Sequence, residues 1–490
     1  MQKLFIACYC VVFLIIFEAE LSLTNLLHMR KALTIFGIFI SSVSICFGQE
    51  LGYKLGSYIN PDFKRKELDF SFNSAGNFYK TDYDKNNSLN GGVGLNYFVI
   101  SNSLKEQART WGYLSGDASS SSGEYSNFRS ASTRLSFTRE AFQFFKINKF
   151  IEITPSVNVD YNYSKQEEDN HYYGSYNGAD IVEPYYNKDN NLSSTISLKL
   201  GIGKGRIEDV GDARQAMFIL QELQKKHLLK KTLNNDEVNA LTEQITLVKN
   251  QRYYDYRIQL MDEISTVDSF LVANDFVDKA NSALYFNVLY DKWMYGDRDR
   301  REAGSYIKGG IAPEYWFSDY RERTSFVGST YMETRRSHDI NSSYGAALYV
   351  DYRYEKPLNL ALQSSFNAGV SSGLYKYRNF DDNFYKTRVN VSYKLGYYPN
   401  TRTYISGSIS QYFNWNKSYY RELGFEPKEN NSSMRDTNFL IDGYYFLSPQ
   451  LRLFGQCNFS LSYRNWGGGY INQDKYPATS FQIGLKYAIF

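Results

Sequence analysis

The sequence predicts an all-β, membrane-spanning barrel of about 16 antiparallel strands, with 14 to 18 admitted by the same patterning, carrying a three-helix insert. Three observations lead there. Apolar and polar residues alternate over runs longer than soluble strands need, tight turns alternate with long polar stretches, and the exported chain keeps almost no cysteine. The composition is compatible: of 490 residues 17 % are aromatic, only 9 are Pro, and mean hydropathy is −0.48. Such a chain is neither disordered nor collagen-like. With 55 Lys and Arg against 52 Asp and Glu, the +3 balance gives no electrostatic case for nucleic acid.

Residues 1–48 are read as an address. Met29-Arg30-Lys31, an apolar run from Ala32 to Cys46, and Phe47-Gly48-Gln49 have the order of a secretory signal cut after Gly48, with 1–28 as an upstream extension. The run is too short for a spanning helix, which needs about 20 apolar residues. Residues 49–66 form an N-terminal segment. Of the four cysteines only Cys457 survives cleavage, so disulfides cannot hold the mature chain.

The alternation is clearest late in the chain. In 385–397 the odd positions are Tyr385, Thr387, Val389, Val391, Tyr393, Leu395 and Tyr397, and the even ones are polar or glycine. Residues 451–463 and 358–370 repeat the pattern. Soluble strands average about 5 to 6 residues and tilted membrane strands about 9 to 11. Six runs are expected in 67–206, near 67–80, 89–101, 106–118, 130–145, 150–164 and 191–204. Ten more are expected in 281–490, near 281–295, 304–317, 324–336, 343–354, 358–371, 384–397, 401–415, 437–447, 451–464 and 479–490. Short connections fall at Lys146–Lys149, Glu355–Pro357, Tyr398–Asn400 and Ser448–Gln450, and long polar loops at Lys165–Asn190, Lys417–Asp436 and Asn465–Ala478.

Taken together, the signal, the alternating strands, the tight turns against long loops and the terminal Phe490 resemble a Gram-negative outer-membrane β-barrel. The tyrosine abundance and the Phe-Gly-Gln-Glu junction are similar to exported proteins of the Bacteroidota; no narrower family is recognised. The resemblance gives Phe490 the role of barrel-assembly signal, although it lies one residue out of phase with Phe481, Ile483, Leu485, Tyr487 and Ile489. It implies outer-membrane lipid and the barrel-assembly machinery as partners.

Residues 207–280 break the period of two. Val210, Ala213, Ala216, Met217, Leu220 and Leu223 make one helical stripe; Asn234 and Glu237 have capping-box spacing before a second helix through Val238, Leu241, Ile245 and Val248; a third runs from Tyr254 to Leu271. Strand parity hangs this insert on the periplasmic side. There it plugs or braces the barrel, or docks a periplasmic partner through Arg252, Tyr253, Tyr256 and Arg257.

Chemical motifs are few. The glycines of 201–205 read as a turn into the insert, and no residue group has metal-ligand spacing, so no metal, cofactor or catalytic site is expected. His338-Asp339 in an outer loop is the one feature a hydrolase could use. Lys199, Lys308, Arg353, Lys386, Arg388, Lys394, Arg402, Arg452 and Lys486 fall on the wet face and predict a lumen with weak anion preference. The function expected first is a porin-like or transport channel. The second is a non-conducting scaffold of an envelope or secretion machine, and the third an outer-membrane hydrolase.

Overall fold

A computed structural model describes residues 52–80, 85–123, 125–173, 180–252, 259–277, 282–296, 300–327, 332–378, 383–420, 428–448, 451–465 and 473–487. The signal and Phe490 lie outside them. Fourteen strands form one antiparallel sheet in chain order. They are β1 (Phe63–Lys80), β2 (Lys85–Asn102), β3 (Glu106–Ser122), β4 (Ser126–Lys146), β5 (Lys149–Tyr173), β6 (Asp180–Asp209), β7 (Glu302–Val327), β8 (Met332–Pro357), β9 (Leu362–Tyr377), β10 (Asn383–Tyr397), β11 (Thr403–Tyr420), β12 (Lys428–Phe446), β13 (Leu451–Asn465) and β14 (Gln473–Tyr487). Between β6 and β7 stand four helices, α1 (Gly211–Lys225), α2 (Asn235–Asn250), α3 (Leu260–Ala273) and α4 (Ser282–Gly296).

Two expected strands are absent, and each for a clear reason. Residues 281–295, expected as the seventh strand, form α4, because Tyr285, Val288, Leu289 and Trp293 bury one helical stripe. The insert therefore has four helices and reaches 296 rather than 280, and the sheet resumes at Glu302. The run at 324–336 is the tip of the β7–β8 hairpin, whose last pair is Val327 with Met332. Two of the long polar stretches are strand over their described residues. The β5–β6 ladder continues to Tyr173 and Asp180, and β11–β12 to Tyr420 and Lys428. Hydrogen-bonded ladders need no apolar face, so polar sequence there conceals strand.

The sheet is inverted relative to a soluble protein. Ile151 and Ile153 are 46 % and 43 % exposed, while Glu152 between them is fully buried. On β7, Ile307 and Ile311 are exposed and Lys308 is buried; on β8, Leu348 and Val350 are exposed and Tyr349 is buried. This exposed apolar belt occupies residues 192–202 of β6, 307–315 of β7 and 344–352 of β8, the length that a tilted strand needs to cross a bilayer. β5 to β8, 25 to 30 residues long, continue past the belt as a polar four-stranded extension. Among the described residues no ladder joins β14 to β1. Those two outer strands carry heavily exposed apolar side chains, Phe70 at 72 %, Phe72 at 71 %, Phe481 at 80 % and Ile483 at 74 %.

The insert leaves the sheet at a kink. Gly205 and Gly304 have φ of +115° and +123° on the adjoining ends of β6 and β7, where Gly205 pairs with Tyr306 and Gly304 with Ile207. A Cβ on Gly205 would stand 2.1 Å from the Ser305 carbonyl oxygen, and one on Gly304 2.2 Å from that of Arg206. Beyond the kink Ile207, Val210 and Arg301 are buried. Within the insert, Leu220, Leu223, Leu241, Ile245 and Leu271 make the core, and Asn234 and Glu237 close the capping box at 3.0 and 2.9 Å. We expect Gly205→Ala and Gly304→Ala each to lower stability by about 1 to 3 kcal/mol, read as the urea midpoint of vesicle-folded protein, whereas Gly455→Ala, whose Cβ meets only Gln482 O at 4.0 Å, leaves it nearly unchanged.

Candidate functional site: the charged inner face and its capped end

Charged side chains of the inner face pair with one another beside a buried cluster of Phe142, Phe150, Ile207 and Tyr306. Lys308 Nζ lies 2.7 Å from Glu140 Oε1 and 2.8 Å from Glu152 Oε1, joining β7 to β4 and β5. Tyr349 Oη donates to Glu152 Oε2 at 2.7 Å and Thr154 Oγ1 to Oε1 at 2.9 Å, so both carboxylate oxygens are held. A second group links Arg109 and Arg353 to Glu302, and Arg353 also to Glu355 at 2.9 Å. Glu355 in turn accepts from Gln363 and Ser365. Pairs this dry stabilise only when every member is present.

The nine predicted basic residues fall out as follows. Lys199 lies 3.4 Å from Asp351, Lys308 and Arg353 belong to the networks above, and Arg388 lies 3.9 Å from Glu314. Lys386 shares β10 with Arg388, and Lys394 stands 5.4 Å over the Tyr404 ring. Arg452 stands 5.4 Å over the Tyr444 ring. Arg402 pairs with Asp291 of α4, so it serves the insert. The backbone of Lys486 pairs with Arg452, and its side chain lies outside the described residues, as do Tyr253, Tyr256 and Arg257. Arg252 is described: its guanidinium grips Glu263 at 2.7 and 2.9 Å beside Trp293, which also donates to Glu263 at 2.8 Å. That contact is internal to the insert. His338 Nε2 meets Asp319 at 3.1 Å in the polar extension, while Asp339 takes the Ser337 hydroxyl at 2.9 Å.

What sequence reading missed is the seat of the insert. All four helices lie at the short-turn end of the sheet, and two ion pairs tie them to strands far apart in the sheet order. Arg65 of β1 pairs with Asp212 of α1, whose carboxylate also accepts from Lys249 at 2.8 Å and Thr246 at 2.7 Å. Arg402, the residue before β11, pairs with Asp291. Burial pushes the Asp291 carboxyl up, but hydrogen bonds from Arg402 and Lys292 outweigh it and hold it below the ordinary carboxylate range.

Beside the Arg402 tie runs a ladder of rings: Tyr398 to Tyr404 at 5.0 Å, Tyr404 to Tyr444 at 5.2 Å, Tyr444 to Phe446 at 5.1 Å, and Phe446 to Tyr295 of α4 at 5.9 Å. Cations stand over them: Arg214 of α1 is 5.1 Å and Arg301 5.4 Å from Tyr398, and Arg402 is 4.2 Å from Tyr295. Arg301 is fully buried and donates to the Asn359 and Leu362 carbonyls at 2.7 and 2.6 Å, clamping the β8–β9 turn. The N-terminal segment completes the seat. Tyr53 donates to Asn239 at 2.7 Å, and burial pushes its hydroxyl up to about 12. Only the crowding of tyrosines around 398–404 and 444–445 hints at this in the sequence.

No family model matches the chain, and neither does any curated protein. Among solved structures it is similar to the translocator domain of the autotransporter NalP from Neisseria meningitidis, at 9 % identity over 86 % of this chain and 98 % of that one, TM-score 0.27. It is also similar to a loop-deletion form of the outer membrane protein OmpT of Vibrio cholerae, at 8 % identity over 87 % and 99 %, TM-score 0.25. A third is the CymD monoaromatic hydrocarbon channel, at 7 % identity over 88 % and 89 %, TM-score 0.27. At these values no role of any residue passes to this chain.

Lys308→Met, which strands Glu140 and Glu152 without their cation, is expected to cost about 3 to 5 kcal/mol in urea unfolding. Adding Glu152→Gln and Glu140→Gln to it should recover most of that loss.

Proposed function

We propose that the chain is a Gram-negative outer-membrane β-barrel channel for polar solutes, its periplasmic mouth closed by the four-helix insert. The observation that supports membrane residence is the inversion of the sheet: isoleucine and leucine outside, ionised side chains dry inside. No helix among the described residues is long and apolar enough to cross a membrane; in this reading the strands cross it. Lipid would cover the exposed belt, and a β14–β1 ladder would close the seam, since open sheet edges do not occur in hydrocarbon.

The observation that favours a capped channel over a bare pore is the seat of the insert. Arg65 and Arg402 tie it to β1 and to β11, so it bridges the short-turn end from one side of the sheet to the other. A helical module hung outside for docking alone would not need ties to strands so far apart. Passage of solute then requires the Arg402–Asp291 side of the cap to lift.

This reading is tested by an Asp291→Cys/Arg402→Cys pair in planar bilayers. We expect oxidation to hold conductance near its closed level and reductant to raise it several-fold, reversibly. Equal conductance in the oxidised and reduced states would overturn the capped-channel reading.

A further inference from the structure

The end of the inner face opposite the cap carries a group of side chains that the ion-pair networks do not absorb. Lys386 and Arg388 are successive inner-face residues of β10, near its hairpin with β9. In register beside them on β11 stand Asn416 and Asn414, respectively. The Oδ1 atoms of both asparagines are buried without a hydrogen-bond partner. Two buried acceptors left unsatisfied in adjacent inner-face positions ask for donors from outside the chain.

The neighbours narrow what those donors belong to. One carboxylate, Glu314 of β7, comes within 3.9 Å of Arg388, leaving two cations against one acid in this group. Arg388 is 34 % exposed and so open to the lumen. Phe384, the inner-face residue before Lys386, stacks between Tyr375 at 5.3 Å and Tyr377 at 4.7 Å. Tyr375 lies within electrostatic reach of both Glu314 and Arg388, which places the rings beside the charges. Cations, carbonyl acceptors and ring faces in one place match a ligand with a carboxylate, several hydroxyl donors and an apolar ring face.

We propose that this rim site binds an acidic saccharide, with its carboxylate on Lys386 and Arg388, hydroxyls donating to Asn414 and Asn416, and a sugar face against the Tyr377–Phe384 stack. An inorganic anion would leave the asparagine acceptors unanswered, and a neutral sugar would leave the cation excess unanswered. The side chains face the inside of the sheet, away from lipid head groups, so the ligand is a free oligosaccharide. The inference rests on the channel reading for its route to the site, but not for binding itself.

The test is calorimetric titration of the full-length protein in detergent with a galacturonic acid trisaccharide, its neutral galactose counterpart, and tricarballylate, a tricarboxylate without hydroxyls. We expect the acidic trisaccharide to bind at least about ten-fold more tightly than the neutral one, and Lys386→Gln/Arg388→Gln to remove that preference. Asn414→Leu/Asn416→Leu should weaken the acidic trisaccharide about ten-fold and leave tricarballylate unchanged. Heat-modifiable gel mobility confirms that each variant is folded. Equal affinity for the acidic and neutral sugars, or parental binding by the lysine–arginine variant, would overturn the proposal. Because titration needs no flow, a protein that conducts under reductant but does not bind overturns the rim site alone. A protein that binds but ignores the cross-link overturns the capped channel alone.

Discussion

One constraint governs the molecule: every second residue of each belt strand faces outward, and most of these are apolar and none charged in the belt segments of β6 to β8, so the charge there is accommodated on the other face. A soluble sheet would bury Ile151, Ile307 and Leu348 and leave Glu152, Lys308 and Arg353 to water. Here the order is reversed, and the buried ions are held by one another, by hydroxyl groups and by aromatic rings. That is why Glu152 has both oxygens occupied and why Lys308 bridges two carboxylates rather than one. The inner networks are a consequence of the outer belt, not an addition to it.

The same constraint explains how the insert is attached. A helical module joined to a rigid sheet must leave it at a defined angle, and the paired positive-φ glycines supply that angle where no side chain fits. The chain then passes Val210 and Arg301, both fully buried, before the helices begin and after they end. Its remote ties include ion pairs at Arg65 and Arg402, and a ladder of tyrosines under arginines.

Much of this was legible in the sequence, and the limits are physical. All six strands before the insert, and β9 to β14 after it, lie where alternation puts them, because one face of each must be apolar. Residues 281–295 mislead because Leu284, Phe286 and Val288 alternate as a strand would. Burial of Tyr285, Leu289 and Trp293 against the other helices decides the matter, and that is tertiary information. The extensions of β5 to β8 were hidden because neither face meets lipid, so nothing constrains their pattern. The seat showed only as a crowding of tyrosines: Arg65, Asp212, Asp291 and Arg301 are strangers in sequence, and Arg301 sits outside every periodic run.

The central claim is that lipid touches alternate side chains of the belt. Single spin labels placed along 385–397 in vesicle-folded protein measure it directly, by their accessibility to a lipid-soluble and a water-soluble relaxant. The account predicts a two-residue oscillation, with labels at 385, 387, 389, 391, 393 and 395 favouring the lipid-soluble relaxant and those between favouring the aqueous one or neither. A flat profile, or one of helical period, would contradict it.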